Sequence, residues 1–178
     1  LSNFDVSKVN NFGGMFGSAS KLTDLNISGW KFDSVTSIAS MFAGLSSLET
    51  LTLKDVDTSN ITNMQYLFSG STKITSLDLS SFDTSKATTM DSMFGYCHNL
   101  EELDLSNFNT ANVTTMRTMF EGCSNLIEVP DTITATTASG TQPCYRMFLR
   151  CSNITKLPKL TLLQLTNGAY SDIATGCT

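Results

Sequence analysis

Phe16, Phe42, Phe68, Phe94, Phe120 and Phe148 stand 26, 26, 26, 26 and 28 residues apart. That spacing restricts the chain to folds in which one unit is laid down again and again. The same step carries Leu51 to Leu77 to Leu103, Leu53 to Leu79 to Leu105, and Leu48 to Ile74 to Leu100 to Leu126. Four apolar columns in one register do not arise by chance. Two successive units read "LDLSSFDTSKATTMDSMFGYCHNLEE" at 77–102 and "LDLSNFNTANVTTMRTMFEGCSNLIE" at 103–128. Leu1 aligns with Ile27 and the final "IATGCT" aligns with "MFEGCS", so the stretch is expected to be a segment of a longer array.

Two periodicities alternate within each unit. Leu77 and Leu79 are two apart, as on one face of a short strand. Ile61, Met64, Leu67 and Phe68 follow i, i+3, i+6, i+7, the stripe of a short helix. Thr62 and Thr88 stand where they could cap such helices. Gly14, Gly44, Gly70, Gly95 and Gly122 stand near the helix ends, where a positive φ is often wanted. A single unit cannot bury both faces, so neighbours must stack. The expectation is one domain over residues 1–178, regular over 1–128 and irregular over 129–178. Its fold class is an α/β repeat protein: a right-handed leucine-rich-repeat solenoid of about six to seven coils, with one parallel sheet and short helices opposite.

No apolar run nears the ~20 residues of a membrane-spanning helix. Eleven basic against sixteen acidic residues give a charge of -5, without the Lys/Arg cluster that phosphate neutralisation requires, so neither nucleic acid nor membrane insertion is expected. The position three after each Phe holds Ala19, Leu45, Ser71, Cys97, Cys123, Cys151 and Cys177. A column that accepts Ala, Leu and Ser is read as filled for volume, with its thiols buried and reduced. Cys144 lies outside it and is expected to be exposed. No CxxC occurs and His98 is the only histidine, so no metal centre is expected. Phosphate-loop, nucleophile-elbow and zinc-helix motifs are lacking as well; the chain is read as non-catalytic, with no cofactor. Asp5, Asp57, Asp83 and Asn109 form another column. Calcium wants six to eight oxygens from one tight loop, so local turn bonding is the better account of it.

Candidate binding residues flank the inward Leu of each strand: Asp24 and Asn26, Thr50 and Thr52, Ser76 and Asp78, Glu102 and Asp104, then Glu128 with Pro130, and Lys156 with Pro158. All are expected to face outward. Asp78, Glu102, Asp104 and Glu128 make the middle of this face acidic, suited to a basic or sugar-bearing partner. The pattern "LxxLDLSNFNTxNVTTMxxMFxGCSNL" resembles the BspA-like leucine-rich-repeat surface proteins of bacteria in their 26-residue form, closely over about 1–128 and more loosely beyond. That resemblance implies a cell-surface or secreted protein, an adhesin whose partner is a protein or glycan on a host matrix, a host cell or another bacterium. A structural spacer, or a recognition domain appended to an enzyme or toxin, is the alternative.

Overall fold

The computed structural model describes residues 1–129, 132–135, 143–162 and 174. The 26-residue unit is visible in its backbone hydrogen bonds, which repeatedly join one unit to the next. Tyr66, Phe68 and Gly70 donate their N–H groups to the carbonyls of Asp91, Met93 and Gly95, and Ser92, Phe94 and Tyr96 donate to Arg117, Met119 and Glu121. Between these donors, every other residue bonds locally: Leu67 to Met64, Ser69 to Tyr66, Ser71 to Phe68.

This alternation overturns the expected helices. An α-helix sends each N–H back four residues along its own chain, but here every second N–H is committed to the next unit. The intervening ones close i to i+3 turns. Two left-handed residues flank each Phe of the third to fifth units, at Tyr66 and Gly70 (φ 56 and 72), Ser92 and Tyr96 (52 and 60), and Thr118 and Gly122 (54 and 74). A helix cannot run through such positions. The described residues contain no helix. Ile61, Met64, Leu67 and Phe68 are buried, as their stripe requires, but they lie on tandem turns. Thr62 and Thr88 cap no helix either; their hydroxyls donate to the carbonyls of Thr36 and Thr62, one unit earlier.

The single parallel sheet is also corrected. Strand β1 (Asp24–Asn26) pairs in parallel with β2 (Thr50–Thr52), Leu25 opposite Leu51. Strand β3 (Thr132–Ala135) pairs in parallel with β4 (Lys159–Leu162). Between these two sheets the strand position keeps one isolated parallel bridge, Ser76 to Glu102. In three units an Asn or Asp after the first inward Leu turns the chain: the N–H of Ser28 donates to Asn26 Oδ1, that of Ser80 to Asp78 and that of Ser106 to Asp104. Side-chain turns of this kind compete with a ladder. The expected α/β leucine-rich-repeat solenoid, with a continuous sheet and helices opposite, is therefore not the architecture. The units stack through hydrogen-bonded turns and short bridges.

The core is a set of apolar columns one unit apart. The Phe rings form its spine, nearly parallel, with centroids 5.9 Å apart from Phe16 to Phe42, 5.5 Å to Phe68, 5.6 Å to Phe94, 5.6 Å to Phe120 and 5.2 Å to Phe148. Phe42 through Phe148 are fully buried. Two buried threonines tie units together inside this core. The Thr84 hydroxyl accepts the N–H of Asn109 and donates to its carbonyl, and Thr58 does the same for Asp83.

The glycine after the Phe is where backbone freedom matters most. Gly70 and Gly122 both have φ above 70°, which costs a residue with a Cβ about 1–2 kcal/mol. At Gly70 an added Cβ would find its nearest atoms at 3.7 Å, whereas at Gly122 it would meet the Tyr96 ring at 2.9 Å. Tyr96 is held there by its hydroxyl, which donates to Glu121 at 2.7 Å. Gly122→Ala is therefore expected to destabilise more than Gly70→Ala, by roughly a further 1 kcal/mol in urea melts. Equal losses would show that the Tyr96 ring is not fixed over Gly122.

Candidate functional site

From Asp24 to Glu128 the described residues flanking the inward leucines lie outward. Asp24, Asn26, Thr50, Ser76, Asp78, Glu102, Asp104 and Glu128 are exposed, and Thr52 is half-buried. At the last position the expected facing is corrected, since Lys156 and Leu157 are exposed and Pro158 is buried; Pro130 lies outside the described residues. The four acids of the middle face come together on neighbouring units. Glu102, Asp104 and Glu128 edge a shallow depression of about 530 Å³, with Ile127 in its lining. Ile127 is 47% exposed, an apolar contact point among carboxylates. Asp78 and Asp104 share a second, smaller depression with Ser80, Ser106 and Asn107.

These carboxylates also have a structural task that spacing alone did not show. Asp78 accepts both the hydroxyl and the N–H of Ser80, and these bonds hold its carboxyl below the usual carboxylate range. The Ser106 N–H and hydroxyl do the same for Asp104. One oxygen of each is thus occupied in a turn, and the rest of the group faces solvent. The second acidic column behaves as expected: Ser7, Ser59 and Ser85 donate to Asp5, Asp57 and Asp83, and Ala111 donates to Asn109. Among the described residues, no group of three or more His, Cys, Asp or Glu side chains could hold a metal ion.

The cysteine column is more than filler. Ser71 Oγ donates to the Phe42 carbonyl at 2.8 Å, and Cys97, Cys123 and Cys151 donate through Sγ to Phe68, Phe94 and Phe120 at 3.2, 3.0 and 3.0 Å. Each of these side chains therefore bonds to the Phe carbonyl of the preceding unit, a role that Ala19 and Leu45 cannot share. These three thiols are buried; Cys177 lies outside the described residues. Cys97 and the adjacent His98 do not form a dyad, since the His98 Nδ1 bonds the Gly122 carbonyl at 2.7 Å.

Cys144 corrects the sequence reading, because it is fully buried rather than exposed. It sits four residues before Phe148, as Met116, Met90 and Met64 do before their own Phe. Counting back from Phe148 would have placed it in that core column. Sequence reasoning also missed a surface on the turn side. Arg117 and Arg146 lie 5.3 and 4.8 Å from the Tyr145 ring centre, close enough for cation–π attraction.

Hydrogen-bonded units of 26 residues, followed by one of 28, stacked on a phenylalanine spine and carrying rows of outward side chains, define a repeat protein without helices among the described residues. No helix among the described residues is long and apolar enough to cross a membrane. The chain belongs to the DUF285 family, described as Mycoplasma protein of unknown function; the family pattern matches residues 1–53 and again 42–158. No curated protein and no solved structure is significantly similar to it.

Proposed function

We propose that the chain is a non-catalytic binding module of a cell-surface or secreted protein, akin to the BspA-like leucine-rich-repeat adhesins, that presents its strand face to a protein or glycan on a host or bacterial surface. The observation that supports this reading is the acid-edged depression around Ile127, where side chains from neighbouring units combine. A basic protein segment or the hydroxyls of a glycan would complement it, and charge would govern the rate and salt sensitivity of docking more than its ultimate strength.

The test must spare the turns. Lysine at position 78 or 104 would remove the oxygen that accepts the Ser80 or Ser106 N–H. Asparagine keeps it, as Asn26 does in its own unit. The variant Asp78→Asn/Glu102→Gln/Asp104→Asn is expected to keep its melting temperature. At low salt it should lose about tenfold or more in binding to immobilised extracellular-matrix proteins or intact bacterial cells. Lys86→Glu, eight residues on from Asp78, is the control. Should the control lose as much, or the neutralised face bind unchanged, docking does not occur there and a spacer role becomes the better reading.

A further inference from the structure

Arginine occurs only at Arg117, Arg146 and Arg150, and the fold gathers all three on the turn side of two neighbouring units. Arg117 and Tyr145 occupy one column, and Arg146 reaches the same ring from its own unit. Arg146 and Arg150 take the left-handed positions on either side of Phe148, with φ of 54 and 62. The equivalent sites in other units hold Ser40, Tyr66, Ser92, Thr118 and Tyr96 as well as glycine, so this backbone conformation belongs to the repeat. Two acids on this side accept bonds from other groups. Asp91 accepts the Thr115 hydroxyl and the Arg117 N–H, and Glu121 is buried under the Tyr96 hydroxyl. All three arginines are exposed, and the one ion pair among the described residues is Lys73 to Glu49.

Asp104 and Arg117 are half a unit apart along the chain, so the acidic strand face and this basic, aromatic face lie on different sides of the same units. We propose that the strand face of one copy, through Asp78, Glu102, Asp104 and Glu128, docks on the Arg117, Arg146, Arg150 and Tyr145 face of a second copy. This rests on the reading of the strand face as a docking surface and names a partner for it. Guanidinium forks match carboxylates in geometry as well as charge. The two faces differ, so the contact leaves one of each free and extends as an open row instead of closing into a symmetric dimer.

Sedimentation of the whole chain over a concentration series tests this. At low salt the native protein is expected to form species that grow with concentration and revert to monomer at high salt. Two variants, Asp78→Asn/Glu102→Gln/Asp104→Asn and Arg117→Gln/Arg146→Gln/Arg150→Gln, are each expected to stay monomeric, with association weakened roughly tenfold or more. Mixed together they retain one intact face each, so the mixture should form dimers and stop there. A native protein that stays monomeric at low salt overturns the proposal, as does association that neither variant weakens or that mixing fails to restore. The arginine variant separates this from the broader reading. It keeps the strand face, so it should still bind matrix proteins or cells at native strength after self-association is lost. If self-association fails while the acid-neutralised variant alone loses foreign binding, the docking face stands and only its pairing with a second copy falls.

Discussion

Phe94→Ala should lower the free energy of unfolding by about 3–5 kcal/mol in denaturant melts, the cost of a cavity left by a fully buried aromatic ring. Phe94 is stacked on both sides, 5.6 Å from Phe68 and 5.6 Å from Phe120 at interplanar angles of 10° and 6°. Its removal interrupts the spine, and neither neighbour can collapse into the gap without leaving its own column. Phe148 is equally buried and stacks on Phe120 at 5.2 Å. The corresponding column position beyond it is Ala174, half-buried and small. Phe148→Ala is therefore expected to cost less, by about 1 kcal/mol or more. Equal losses at the two positions would mean that ring stacking between units adds nothing to burial.

The spine was legible because period and apolarity are properties of sequence. Phe42, Phe68, Phe94 and Phe120 had to share an environment, and the leucines two apart had to share a side. Helix and tandem turns, however, give the same i, i+3, i+6, i+7 stripe, since both advance about one face every three to four residues. Conformation at Ser40, Tyr66, Ser92 and Thr118 decides between them, and all four have positive φ. Serine, tyrosine and threonine carry no signal for it; glycine two residues after the Phe does, and it was read as a helix end. The strand face was legible in position and exposure. What the spacing hid is that Asp78 and Asp104 turn the chain where a strand would otherwise continue. The arginine face was invisible because it joins different columns: Tyr145 and Arg117 share one, while Arg146 and Arg150 belong to two others.

Alkaline pH should expose the cost of the thiol column. Burial pushes the Cys97 thiol from an ordinary 9.0 up to about 12 and Cys144 up to about 11, and it raises Cys123 in the same direction, with Cys97 and Cys151 adding to the effect. The folded state thus keeps protons that the unfolded chain releases above pH ~9, so stability falls as pH rises. For each thiol the slope is about 1.4 kcal/mol per pH unit, starting near the unfolded value and ending at the folded one. Cys97 and Cys144 together should therefore remove roughly 4 kcal/mol between pH 8 and pH 10.5. Urea melts with reductant present would measure this. The double variant Cys97→Ser/Cys144→Ala isolates the thiols from lysine and tyrosine, which titrate in the same range. Serine suits position 97 because Ser71 already makes the same bond to a Phe carbonyl. The variant's stability should decline far less steeply across that window. A pH profile identical to that of the native protein would show that Cys97 and Cys144 titrate alike in both states, which is incompatible with a dry column beside the phenylalanine spine.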